Sequence, residues 1–328
     1  MRILIIGGTA FTGPALIQEL LEHGHEVTYM HRGNTNDDRT AGANELILDR
    51  RDNAELTAAI SSVPHEVLVD MVPFLAEDAE VTKQACKEAG SRVVAISSID
   101  AYHAYGLIKK TEFGPIQPTP LTEQSELRTS NPDGPERDKL SIERIYMTDE
   151  ELRATILRLP AIYGPRDKLR RLRGYLKRMD DERPAILLAQ SLSTWKFSRG
   201  YTDNVAHAIA LAVENEKAAG ELFNVGEPHA LTEMQFVQTI AKAAGWHGEI
   251  EVIADDQLPT ELQPDVNFEQ DWEVDTQKIR SQLGYCELIE QDDAFLRTVQ
   301  WERANPPEVE PYPADYQQED EVLAAHGD

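Results

Sequence analysis

Cysteine is nearly absent: the chain has two in 328 residues, Cys86 and Cys286, far apart in sequence. That excludes a disulfide framework and a thiolate zinc site. Long apolar runs are missing too. None approaches the ~20 residues of a membrane helix, and the first strand-like run, Arg2-Ile3-Leu4-Ile5-Ile6, begins at once. Neither a membrane span nor a signal peptide is therefore expected, and the expected location is cytoplasmic. Positive charge is scarce, with 32 Lys and Arg against 58 Asp and Glu and a net charge of −26. Phosphate binding needs clustered cations, so contact with nucleic acid or an anionic membrane is disfavoured. The acids are spread along the chain, which fits a solvated acidic surface and equally an adaptation to high salt. The histidines are scattered without metal-ligand spacing, so no metal is expected, and His23 and His25, flanking a turn, read as structural. No internal repeat is visible.

What is present is an alternation. Apolar, β-branched runs at 2–6, 26–30, 45–48, 66–72, 92–96 and 154–159 are separated by helical patterns near 13–23, 53–61, 77–89 and 137–149. Strand and helix in turn predict an α/β fold: a doubly wound, Rossmann-type parallel sheet with helices on both faces. Continuous rather than alternating apolar strands suit burial on both faces. From about 105 to 135 the pattern breaks at Gly106, Gly114, Pro115, Pro118, Pro120, Pro132, Gly134 and Pro135, which predicts a long loop. A helix at 203–214 and a strand at 221–225 are expected to return to the main sheet. The expected domains are 1–165 plus about 200–225 for dinucleotide binding, and 166–199 plus 226–305 as a smaller mixed α/β substrate domain. The acidic, Pro-rich tail 306–328 is expected to be loosely held.

The first strand leads into Gly7-Gly8-Thr9-Ala10-Phe11-Thr12-Gly13 and then a helix. Gly7 suits the tight turn, the small Ala10 the approach of a pyrophosphate, and Gly13 the close packing of helix on strand. The helix N-terminus then faces negative charge. The second strand ends at His31-Arg32-Gly33, without the acid that would accept from a ribose 2′-hydroxyl. Arg32 suits a 2′-phosphate and favours NADP(H), although a surface Arg in a βα loop fits as well. Asp49-Arg50, after the third strand, offers a carboxylate for an adenine amino group or an ordinary turn acid.

Several stretches extend the signal: Ser97-Ser98-Ile99-Asp100-Ala101-Tyr102, Pro120-Leu121-Thr122-Glu123, Leu157-Arg158-Leu159-Pro160-Ala161-Ile162-Tyr163-Gly164-Pro165, Tyr201-Thr202-Asp203-Asn204-Val205-Ala206, Phe223-Asn224-Val225-Gly226, Asp275-Thr276-Gln277-Lys278 and Leu283-Gly284-Tyr285. In this order and spacing the chain resembles the extended short-chain dehydrogenase/reductases, the NAD-dependent epimerase/dehydratase group. The Gly-Gly-Thr-x-Phe-x-Gly turn resembles an atypical branch that includes the chloroplast stem-loop RNA-binding proteins. The resemblance implies NAD(P)(H) bound by Gly7, Thr9, Ala10, Phe11, Thr12, Gly13, His31, Arg32, Asp49, Arg50, Met71, Val72, Pro73, Ser97, Lys139, Pro160 and Ile162. At Asp70 an acid stands before a segment that relatives keep small and apolar under the cofactor. It points away from the site or pairs with a buried polar group.

In this family a Ser or Thr orients the substrate oxygen and a Tyr passes the proton. A Lys lowers the phenol pKa from about 10 and holds the nicotinamide ribose. By resemblance Ser98 matches the Ser, and Lys139, followed by Glu143, matches the Lys. Four residues before Lys139, where the Tyr belongs, stands Pro135, which has no proton to offer. Three readings are open: Tyr102 or Tyr105 reaches the site, Ser98 relays the proton through water or a substrate group, or cofactor binds without turnover. Arg166, Lys168, Arg170, Arg171, Arg173, Lys177 and Arg178 crowd a stretch predicted to be helical. Arg166, Arg170, Arg173 and Lys177 would share one face. Recognition of a substrate phosphate, contact with RNA, and pairing with the protein's own acids all fit that face. Tyr102, Tyr105, Arg166, Arg170 and Arg199 are the candidate substrate residues, whereas Trp195 and Phe197 read as packing. The function implied is an NAD(P)-dependent oxidoreductase, epimerase or dehydratase acting on a nucleotide sugar or similar polyol. The alternative is a non-catalytic, cofactor-binding regulator or RNA-associated protein. Relatives often pair as homodimers through two helices, one of which carries Lys139.

Overall fold

The computed structural model describes residues 1–132, 134, 137–312 and 315–326. The proline at 135, on which the reading of the catalytic tyrosine turns, lies outside the described residues.

The chain begins β1 (Arg2–Ile6), α1 (Thr12–Glu22), β2 (Glu26–His31), β3 (Asn44–Ile47), α2 (Asn53–Ser62), β4 (Val67–Asp70), α3 (Ala76–Ala89), β5 (Arg92–Ser98), α4 (His103–Ile108), α5 (Lys139–Met147), β6 (Thr155–Leu159) and β7 (Ala161–Tyr163). It continues α6 (Arg173–Asp180), β8 (Ala185–Ala189), α7 (Gln190–Ser193), β9 (Lys196–Phe197), β10 (Arg199–Tyr201), α8 (Thr202–Glu214), β11 (Leu222–Asn224), β12 (Leu231–Thr232), α9 (Glu233–Ala244), β13 (Glu249–Ile253), α10 (Gln277–Leu283), α11 (Gln291–Ala304) and α12 (Gln317–His326).

Seven parallel strands form the main sheet in the order β11-β6-β5-β4-β1-β2-β3. This is the doubly wound Rossmann architecture expected from the alternation. Each central strand feeds two cores. Ile3 and Ile5 pack with α1 and α8, while Leu4 and Ile6 pack with α2, α3 and α5. Two-sided burial is why these strands read as unbroken apolar runs. The chain winds outward from β1 through β2 to β3, then returns to the other side of β1 as β4. Ile6 of β1 lies in register with both Met30 and Asp70. The crevice between the carboxyl ends of β1 and β4 is thus the topological switch point, where doubly wound sheets take ligands.

Beyond β7, the parallel pair β8–β13 and helices α6, α9 and α11 enclose a separate apolar cluster that includes Leu176, Ile186, Phe236 and Phe295. Two expectations are corrected here. The basic run is not one helix from 166: Arg166 and Arg170 have left-handed backbone, at φ 70° and 45°, and the helix starts at Arg173. The tail is not loose either. Helix α12 seats Val322 and Leu323 against Leu187, Ala189, Ile253 and Leu258. Its Glu319 takes a two-pronged bond from the buried Arg178, at 2.5 and 3.1 Å. Acidic composition suggested a solvated tail; the basic run facing it supplied the partner.

Part of the predicted 105–135 loop is also ordered locally. It opens with α4 and is gathered around the buried carboxylate of Glu112. That group accepts from the Thr129 and Ser130 amides at 2.5 Å, from the Thr129 hydroxyl at 2.8 Å, and from His103. Burial favours the acid form, but these donors outweigh it and hold the carboxyl down at about 2.

Candidate functional site

The turn after β1 is tight for identifiable reasons. Gly7 has φ 91°, and its amide donates to the Met30 carbonyl at 2.9 Å. A Cβ on Gly7 would stand 2.7 Å from a Val72 methyl, and one on Gly13 2.5 Å from the Gly8 carbonyl oxygen. Both positions are closed to any side chain, so α1 starts directly on the sheet. Phe11 precedes the helix at φ 50°, contributes no side-chain cap, and the first turn of α1 holds no acid. No side chain caps the helix, although the Gly13 amide already donates to the Ala10 carbonyl at 3.0 Å and Pro14 brings no N–H; the positive end of its dipole is left open at the switch point, which suits an anion. Ala10 is exposed there. Thr12 is buried beside Thr202, while Thr9 accepts from the Thr35 hydroxyl at 2.7 Å.

At the end of β2, His31 is held by Glu45 at 2.6 Å, and Arg32 is exposed. No ion pair of Arg32 occurs among the described residues. The Asp49 carboxylate is held by Arg51 at 2.5 Å, which, with Arg32 nearby, lowers it to about 2. Arg50 turns the other way. Its guanidinium bonds both Asp70 oxygens at 2.7 and 3.2 Å and the Val72 carbonyl at 2.7 Å. It is built into the scaffold and presents no cation to a ligand, which corrects its reading as a direct cofactor contact. Asp70 is fully buried and pairs as one of the two alternatives required.

Ser97, Ser98 and Lys139 come together at the carboxyl end of β5. The Lys139 ammonium donates to the Pro73 carbonyl at 3.0 Å and the Ile96 carbonyl at 3.4 Å. Burial pulls it below its ordinary pKa, with Asp70, Asp100 and Glu143 opposing. Ser98 is half-buried and accepts from the Asp100 amide at 3.2 Å. Ser97 donates to Glu143 at 2.5 Å. Pro160 is buried and Ile162 half-buried, its carbonyl bonded by Arg171 at 2.7 Å.

The structure withdraws Tyr102 as a proton donor to the cleft. Its side chain has 0% exposure, the Arg158 guanidinium lies 4.6 Å from its ring, and its hydroxyl donates to Asn224 at 2.6 Å. Burial also raises its pKa. Tyr105 is buried and stacks on Trp272 at 4.8 Å. The three substrate arginines are engaged internally: Arg166 by Asp37, Arg170 by Glu302 at 2.5 Å, and Arg199 by Glu233. Of the three alternatives for the basic run, pairing with the protein's own acids is the one the geometry realises.

Sequence reasoning missed the polar cluster beneath the site. Glu143 takes a bidentate bond from Arg158 at 3.0 and 2.6 Å and joins β5, α5 and β6. The signal was available, because Arg158 stands inside the apolar strand Leu157-Arg158-Leu159, and a charge there must be paired. Only its partner was invisible.

Comparison with known proteins follows the same lines. Residues 3–226 match the model of the NAD dependent epimerase/dehydratase family. The chain belongs to that family. Among curated proteins this family member is 24% identical over 258 residues to the chloroplast stem-loop binding protein of 41 kDa b of Arabidopsis thaliana, covering 75% of this chain and 64% of that protein. Among solved structures it is similar to the UDP-glucose 4-epimerase of Thermus thermophilus, solved with NAD, at 20% identity and a TM-score of 0.68, covering 92% of this chain and 99% of that one. A dTDP-glucose 4,6-dehydratase of Streptomyces venezuelae, also with NAD, gives 21% and 0.69 over 93% and 98%. At these identities the likeness is one of fold. Among the described residues no helix is long and apolar enough to cross a membrane.

Proposed function

We propose that this family member binds a nicotinamide dinucleotide across the β1/β4 switch point and acts on a nucleotide sugar or a similar polyhydroxylated substrate. The observation that carries the reading is the uncapped, acid-free N-terminus of α1, pressed onto the sheet by Gly7 and Gly13 where the strand order reverses. The diphosphate lies against that helix end. Met71–Pro73 form the floor, and Lys139 holds the nicotinamide ribose. The bound cofactor supplies a hydride acceptor or donor. Arg32, exposed, without an ion pair among the described residues and on a β2 whose end carries no acid, recognises a 2′-phosphate, so NADP(H) is preferred over NAD(H).

With proline at 135 and Tyr102 sealed below, the proton route runs through Ser98 and a water or substrate hydroxyl. Titration with NADPH and NADH, read by cofactor fluorescence, tests binding. Arg32→Ala is expected to erase the preference for NADPH by about tenfold or more and leave NADH unaffected. Incubation with a panel of nucleotide sugars tests turnover through the nicotinamide absorbance. Because an epimerase or dehydratase returns its hydride within each turnover, an unchanged absorbance together with no altered sugar product, in wild type and Ser98→Ala alike, assigns the chain to the cofactor-binding, non-catalytic reading. An RNA-associated role is the less supported alternative: a curated relative is a stem-loop binding protein by name, but the arginines of the basic run here are spent on internal carboxylates.

A further inference from the structure

The loop from β4 to α3 is folded around one side chain that enters from elsewhere. Arg50 comes from the β3–α2 connection. Besides both Asp70 oxygens and the Val72 carbonyl, its guanidinium reaches the Asp78 carbonyl at 3.5 Å and the Asp78 carboxylate at 3.5 Å. The two acids close the loop from its ends. Asp70 accepts from the Val72 amide at 3.3 Å and from the Tyr146 hydroxyl at 3.1 Å, while Asp78 accepts from the Phe74 and Leu75 amides at 3.0 Å. Between them lie the atoms that face the site: the Val72 methyls directly beneath Gly7, and the Pro73 carbonyl that takes the Lys139 ammonium. The Phe74 carbonyl accepts from the Asp138 amide at 2.9 Å, immediately before α5 begins.

From this geometry we infer that Arg50 is a positioning residue for the dinucleotide: bonded to Asp70, Asp78 and the Val72 carbonyl, it sets the height of the crevice floor under Gly7 and ties that floor to Lys139. The inference rests on the dinucleotide reading above and gives a role to the acid at position 70. Without Arg50, Asp70 would be a fully buried, uncompensated carboxylate at the end of β4, directly under the loop that forms the crevice floor. With it, the Arg50–Asp70 pair is neutral, and four oxygens, two of Asp70 and the Val72 and Asp78 carbonyls, are held by one planar fork, a geometry a lysine cannot reproduce.

The test compares wild type, Arg50→Lys and Arg50→Met for binding of the whole preferred dinucleotide. In parallel it measures binding of the matching fragment without the diphosphate, 2′-AMP for NADPH or adenosine for NADH. The fragment is held by the β2 end of the crevice, away from the floor. We expect Arg50→Met to weaken the dinucleotide by about tenfold or more, Arg50→Lys to recover part of that loss, and the fragment to bind all three proteins alike. Equal loss of dinucleotide and fragment would mean a general loss of fold and would overturn the inference. Unchanged dinucleotide binding by Arg50→Met would overturn it while leaving the cofactor site standing. Failure of wild type to bind either dinucleotide would remove the site reading, and the positioning role of Arg50 with it.

Discussion

Replacing Glu143 with leucine would leave the Arg158 guanidinium charged and without its carboxylate in a strand where its side chain is 2% exposed. Two short bonds to Arg158 and one from Ser97 vanish at once. Burial of the pair opposes solvent relief, so the loss belongs to the range for breaking a buried ion pair, about 3–5 kcal/mol. With an unfolding entropy of ~2.1 cal/mol/K per residue, the 328 residues convert that into a drop in Tm of about 4–7 °C. The double replacement Glu143→Leu with Arg158→Met removes both charges and keeps apolar volume. It is expected to recover most of the loss, leaving a deficit of about 1–2 kcal/mol for the unpaired Ser97 hydroxyl and the Tyr102 ring that loses its cation. Calorimetry on the four proteins of this cycle gives the coupling directly. If the two single losses simply add in the double variant, the groups do not act as a pair and the reasoning fails.

Gly13→Ala is expected to abolish dinucleotide binding in a titration, because its Cβ would meet the Gly8 carbonyl oxygen at 2.5 Å and push α1 off the sheet. Removing residues 306–328 uncovers Leu187 and Ile253 and strips Arg178 of Glu319; a lower Tm and faster proteolysis near α6 are the expected readings, and an unchanged Tm would contradict a docked tail. Glu112 is held at about 2, below its ordinary value near 4.5. Its contribution is therefore present above about pH 4.5 and is lost as pH falls through about 2. Wild type should then exceed Glu112→Gln in stability at neutral pH, with the difference shrinking across that acid window; a pH-independent difference would contradict the assignment.

Much of the fold was legible because two-sided burial leaves a one-dimensional record. Strands such as Ile3-Leu4-Ile5-Ile6 are apolar throughout, the helices between them are periodic, and glycines stand where a Cβ would strike Val72 or the Gly8 carbonyl. These are local constraints, and local constraints appear in the order of residues. The glycine turn, the alternation of strand and helix and the class of doubly wound parallel sheet were therefore determined by the sequence alone. Partners across space were not. Whether Arg50 faces a ligand or Asp70, whether Arg166, Arg170 and Arg199 await a substrate or hold Asp37, Glu302 and Glu233, and whether Tyr102 opens to the cleft or seals against Asn224 depend on contacts between residues up to 132 positions apart. A charged side chain carries the same letter whether it is solvated, spent or available. Only the tertiary structure decided which, because the cost of burying a charge is met by whichever opposite charge the packing brings within reach.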